Sequence, residues 1–147
     1  MANSYTKILL HTTFHVKSGN RLYSEDLPGL YAYMRGVAEA EKCGVVAIGG
    51  TTDHVHILFA LHPTMAPSAM MMKLKANSSR WLKERGTQYR AFAWQDGYGG
   101  FSVSPSNVAR VVSYINNQEV HHRRMTFREE VEQLFKEAGI EYDERYI

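Results

Sequence analysis

The chain has a single cysteine, Cys43, so it cannot close an internal disulfide, and this fits a reducing compartment. No stretch approaches the roughly 18 continuous apolar residues of a membrane span. The opening residues, Met1-Ala2-Asn3-Ser4-Tyr5-Thr6-Lys7, lack the basic-then-apolar order of a secretory signal. A soluble, cytoplasmic chain is the expectation. Repeats, low-complexity stretches and linkers are also missing, which leaves no internal boundary. Nor is there a strong net charge: 17 Lys+Arg against 15 Asp+Glu give +2, too little to indicate a nucleic-acid partner by itself. What the chain does have is 147 residues, 44% of them hydrophobic and 12% aromatic. That is enough to bury a core in one domain, 1–147, and too short for two.

Charge is unevenly distributed. Between Lys73 and Arg90, six cations (Lys73, Lys75, Arg80, Lys83, Arg85, Arg90) face one anion, Glu84. From Glu129 onward, seven acids face only Lys136 and Arg145. The basic middle reads either as the solvated face of a helix or as a surface that tracks phosphates.

Periodicity organises the rest. Lys7 to Val16 alternates, with Ile8, Leu10, Thr12, Phe14 and Val16 opposite Leu9, His11, Thr13 and His15, a strand with one buried face. Leu30, Met34, Val37 and Ala38 fall at helical spacing within 27–43, with Gly44 placed as a C-cap. Residues 45–50 and 54–60 read as two strands of a hairpin. A second helix spans 68–85, with Met71, Leu74, Ser78, Trp81 and Leu82 inward and Gly86 as its stop. Residues 92–94 and 101–103 are short strand candidates around Gly97-Tyr98-Gly99-Gly100. Ser104-Pro105 opens a third helix running to about His121. Thr126-Phe127-Arg128-Glu129 matches the capping box of a fourth, stopped by Gly139. The order β-α-β-β-α-β predicts an α+β fold, a ferredoxin-like antiparallel sheet with two helices on one face and appended C-terminal helices. The other face must be covered by those helices, a partner subunit or a ligand.

Two constellations carry chemistry. In Asp53-His54-Val55-His56-Ile57-Leu58-Phe59, a period of two puts Val55, Ile57 and Phe59 on one face and His54, His56 and Leu58 on the other. Two imidazoles at i and i+2 are close enough to share a divalent cation through neutral ring nitrogens. On the third helix, Val108, Val111, Val112 and Ile115 form the apolar stripe. Tyr114 and Gln118, one turn apart, lie on the adjacent stripe with His121 continuing it.

Together these features resemble the single-tyrosine HUH transposases of the insertion-sequence "two hundred" type. The resemblance rests on three segments in the family's order: 53–58; Trp94-Gln95-Asp96-Gly97-Tyr98-Gly99-Gly100-Phe101-Ser102-Val103-Ser104; and Tyr114-Ile115-Asn116-Asn117-Gln118-Glu119-Val120-His121-His122. Thr52 departs from the proline or asparagine of many relatives, at a position with no assigned chemistry. The resemblance implies a transposase that cleaves and rejoins single-stranded DNA, typically a hairpin near an element's end. Tyr114 would be the nucleophile, on an appended helix, leaving a 5′-phosphotyrosine and a free 3′-hydroxyl. His54, His56 and Gln118 would hold Mg²⁺ or Mn²⁺. A homodimer is implied, with a tyrosine helix often completing the partner's histidine pair; the 97–100 turn could then serve as a hinge or as a plain tight hairpin. Lys73, Lys75, Arg80 and Lys83 become candidate DNA contacts, and His11 and His15 could also touch DNA.

Ester exchange conserves bond energy, and accordingly no Gly-x-x-x-x-Gly-Lys phosphate loop is present. A histidine-triad nucleotide hydrolase would want a third histidine at position 58, which is Leu58. A relic that binds hairpins without cutting them stays open as the alternative.

Overall fold

The computed structural model describes residues 4–143. Its elements are β1 (Leu9–His15), α1 (Leu27–Ala40), β2 (Val45–Gly50), β3 (His54–Ala60), α2 (Pro67–Lys83), β4 (Gly99–Val103), α3 (Val108–Asn116), α4 (Gln118–His121) and α5 (Phe127–Ala138). The strands form one antiparallel sheet in the order β2-β3-β1-β4, with Phe14 opposite Val55 and His15 opposite His54. This is the expected α+β, ferredoxin-like arrangement.

The main core lies between one sheet face and helices α1 and α2. Phe14, Val55, Ile57 and Phe59 meet Leu30 and Met34 of α1 and Met70, Met71, Leu74 and Leu82 of α2. Each fully buried aliphatic of this kind contributes roughly 1.5–3 kcal/mol of transfer free energy. Ser78 is tolerated there because its Oγ accepts a hydrogen bond from the Trp94 indole at 3.0 Å. Trp81 is half-buried rather than in the core, and its ring stacks on Tyr33.

The second face is not open. Leu9, Ala47 and Leu58 pack against Ile115, with Val108, Val111 and Val112 at the margin. Gly49 permits this close docking, since a Cβ there would sit 2.5 Å from the Ile115 carbonyl oxygen. α5 covers the rest, its Phe127 ring 4.5 Å from the His54 ring and 4.9 Å from that of His15. Strand β1 is therefore buried on both faces, not one, and the apolar stripe of α3 is met within its own chain. A second copy is not required to bury it.

Four local expectations change. α1 ends at Ala40, and the left-handed position falls on Lys42 (φ 60°), not on Gly44. Cys43 N–H bonds to the Ala38 carbonyl and Lys42 N–H to that of Glu39, a Schellman closure whose register buries Cys43. Gly86 is extended (φ 168°), so it does not cap α2 in the left-handed way. The Phe92–Trp94 strand reduces to one bridge, Val16 to Trp94, so 97–100 is not a hairpin turn. It is tied down instead, because Lys75 Nζ donates to the Gln95 and Gly97 carbonyls at 2.6 and 2.7 Å. The single helix expected to reach His121 opens as a 3₁₀ turn (Pro105–Asn107), with no cap bond from the Ser104 side chain. It breaks again at Asn117, whose amide donates to the Ser113 carbonyl. α5 is as expected: Thr126 and Glu129 form the reciprocal capping box, and Gly139 ends the helix at φ 68°.

Candidate active site

β3 delivers His54 and His56 to the face covered by α3, α4 and α5, as its alternation requires. Both are fully buried, with ring centroids 5.1 Å apart. Each ring is held from behind through Nδ1. His54 Nδ1 lies 2.6 Å from Asp53 Oδ1, itself fixed by the Thr51 hydroxyl at 2.9 Å. His56 Nδ1 lies 2.7 Å from His11 Nε2, and the His11 ring can serve either tautomer of His56. Both Nε2 atoms thus face inward, the arrangement in which outer partners orient metal-binding imidazoles.

The helices supply the opposite wall. Gln118, opening α4, places Oε1 2.8 Å from His54 Nε2. Glu130, on the first turn of α5, places Oε1 2.8 Å from His56 Nε2. Its Oε2 accepts from the Tyr114 hydroxyl and from Gln118 Nε2 at 3.1 Å. The tyrosine on α3, the glutamine on α4 and the two imidazoles on β3 therefore meet around one carboxylate. His54, His56, Gln118 and Glu130 are all 2% exposed or less.

Burial sets the protonation states. It pulls His56 down to about 4, against the raising effect of Glu130, and His11 down to about 3, reinforced by His56. Both rings are neutral near pH 7, the form that offers a lone pair. Burial and then the Glu130 hydrogen bond push the Tyr114 phenol above its ordinary range. Burial alone would raise Glu130, but hydrogen bonding and charge from His56, with the Tyr114 hydrogen bond, outweigh it and hold the carboxyl well below the usual range. In this arrangement the proton belongs to Tyr114 and the charge to Glu130.

The residues fit a divalent cation. With Nδ1 of His54 engaged by Asp53 Oδ1, Nε2 is the ring atom that faces the Gln118 carbonyl oxygen. The Gln118 amide is kept in this sense by donating to Glu130. His54 Nε2 also lies 3.6 Å from Glu130 Oε1, so nitrogen and oxygen donors converge on one place. Neutral imidazole with amide and carboxylate oxygen is also a donor set suited to Mg²⁺ or Mn²⁺.

A sequence pattern described as Transposase IS200 like matches residues 4–118. The chain belongs to this IS200-like transposase family. Among solved structures it is similar to a Deinococcus radiodurans R1 protein provisionally named a transposase. That match has 23% identity and a TM-score of 0.62, and covers 80% of this chain and 96% of that one. It is also similar to a REP-associated tyrosine transposase bound to a REP hairpin, at 15% identity and a TM-score of 0.61, covering 83% and 73%. At these identities the two structures support the fold alone. No curated protein matches significantly.

Within the transposase fold, His54, His56, Tyr114 and Gln118 come together as their spacing anticipates. The four α2 cations do not join them, because α2 packs on the other sheet face. There Lys73 pairs with Glu41 at 3.0 Å, Arg80 bonds Asn77 and Lys75 holds the 95–97 loop, while Lys83 is exposed. His11 is buried behind His56, so it presents no open face, whereas His15 packs on Phe127 and stays half-buried. The residue that sequence reasoning missed is Glu130. A signal existed: in Phe127-x-x-Glu130-Val131-x-x-Leu134-Phe135 the acid interrupts an apolar helical stripe, where burial without a partner is costly.

Proposed function

We propose that this transposase cleaves and rejoins single-stranded DNA at insertion-element ends, with Tyr114 as the nucleophile and Mg²⁺ or Mn²⁺ held by His54, His56 and Gln118. The observation that carries this reading is the meeting of the Tyr114 hydroxyl and the two histidine Nε2 atoms on one buried carboxylate within a single chain. Tyr114 Oη bonds to phosphorus as the P–O3′ bond breaks, giving a 5′-phosphotyrosine and a 3′-hydroxyl. Because one phosphoester replaces another, the linkage is conserved for rejoining. The cation, when bound, supplies charge neutralisation at the phosphate. Asp53 and His11 fix the two imidazoles, and α3 fixes the direction of the phenol. Glu130 Oε2 accepts the hydrogen bond of the protonated phenol until a strand arrives, and in the net step the proton the phenol loses is the one the departing 3′-oxygen gains.

A hairpin is the substrate class we favour, supported by the solved relative that holds one. The exposed cations Lys73, Arg80 and Lys83 suit contacts to its backbone, with Lys75 shaping the adjacent loop. Tyrosine and histidines meet within one chain here, and the homodimer we propose would bring two DNA ends together.

The test is to incubate the protein with hairpin-forming single strands from the DNA flanking its own gene, with Mn²⁺, and to look for a covalent adduct under denaturing conditions. Tyr114→Phe should bind the strand, keep its fold and form no adduct. An adduct in that variant would overturn the assignment of Tyr114, and wild-type binding without any adduct would favour the hairpin-binding relic.

A further inference from the structure

Glu130 lies beyond the family-matched residues 4–118, as do His121 and His122. Its position nonetheless dominates the site. Oε1 is 2.8 Å from His56 Nε2, 3.1 Å from His122 Nε2 and 3.6 Å from His54 Nε2. His122 is only 10% exposed, and its Nε2 is buried without a hydrogen bond of acceptable geometry. It faces the carboxylate off-axis, as a lone pair aimed at a shared point would. Donor atoms of His54, His122 and Glu130 all lie within 4.8 Å of one another. An octahedral ion with bonds of about 2.1 Å spaces adjacent donors about 3 Å apart and opposite ones about 4.2 Å apart. The three Nε2 atoms stand 2.8, 3.1 and 3.6 Å from Oε1, close to the spacing of adjacent donors or between it and that of opposite ones.

We infer that Glu130 Oε1, with His122 Nε2 beside it, ligates the divalent cation together with the β3 histidine pair, so that α5 forms part of the metal centre. The inference rests on the reading above that His54 and His56 hold a cation, and it extends that set by an anionic ligand. A carboxylate adds the one negative charge that the two imidazoles and the amide lack. Its other oxygen, Oε2, meets the Tyr114 hydroxyl, so one side chain ties the ion's position to that of the phenol.

Manganese binding tests this without any cleavage. Mn²⁺ is titrated into metal-free wild type, His56→Ala, Glu130→Gln and His122→Ala, with binding read by calorimetry and by the loss of the free-ion paramagnetic resonance signal. Glu130→Gln is nearly isosteric and removes the charge, and it should weaken Mn²⁺ at least tenfold. His122→Ala removes the neighbouring nitrogen donor and should weaken it severalfold, and it serves if Glu130→Gln does not fold. If His56→Ala loses the ion while Glu130→Gln and His122→Ala bind as wild type does, the inference falls and the histidine-pair reading stands. If His56→Ala also binds normally, the pair reading falls and takes the inference with it. Tighter binding in Glu130→Gln would equally overturn the inference, making Glu130 a plug that the ion must displace.

Discussion

Replacing Gly49 with Ala should disable the site without touching any residue in it. The new Cβ would lie 2.5 Å from the Ile115 carbonyl oxygen, 3.3 Å from Ile115 Cγ2 and 3.4 Å from its carbonyl carbon. The nearest of these is backbone, so no side-chain rotation relieves the clash. Restoring an ordinary contact of about 3.4 Å requires α3 to withdraw by roughly 1 Å, since overpacked groups separate or strain. Overpacking of this kind costs about 1–3 kcal/mol, a drop in melting temperature of roughly 3–10 °C for a chain of this size. Tyr114 precedes Ile115, so the phenol moves with the helix. A misplacement of about 1 Å at a reacting group costs on the order of 100-fold in rate. Gly36→Ala is the control, because on α1 its Cβ would meet nothing within 4 Å. It should raise stability by up to about 1 kcal/mol and leave adduct formation unchanged. Calorimetric melting with single-turnover adduct formation would measure both effects. A Gly49→Ala protein that melts like wild type and forms adduct within twofold of its rate would refute the claim that this contact places the tyrosine.

Two further substitutions probe the helix ends. Lys42→Gly should stabilise the chain by up to about 1 kcal/mol in denaturant unfolding, because Lys42 occupies a left-handed conformation that costs a side chain and suits glycine; destabilisation would argue against that backbone conformation. Thr126→Ala removes the capping box of α5 and should cost about 1 kcal/mol. Amide exchange should then speed up in α5 ahead of the sheet, and unchanged protection there would contradict the role of the cap in seating Glu130.

The bounds of β2 and β3 were readable from the chain because a pleated strand forces a period of two. The same alternation put His54 and His56 together and Leu58 beside them. α5 was legible from Thr126, Glu129 and Gly139, whose side chains or backbone freedom act within four residues. Tyr114 and Gln118 share a side because residues one turn apart do so in any helix, and the break at Asn117 did not separate them. Each of these features follows from local geometry. What covers the second sheet face does not, since an apolar stripe on α3 fits its own sheet as readily as a partner's. The fit was decided by the missing side chain at Gly49, far away in sequence. Lys42 likewise takes the left-handed position next to Cys43, whose place in the core is a matter of tertiary packing. The four α2 cations read as one patch along the chain, yet the fold gave Lys75 two carbonyls to hold and turned the helix away from the histidines. Glu130 shows the difference most clearly: along the chain it is one acid among several on a charged helix. Only packing that buries it against four imidazoles, a phenol and an amide makes it the charge around which the site is arranged.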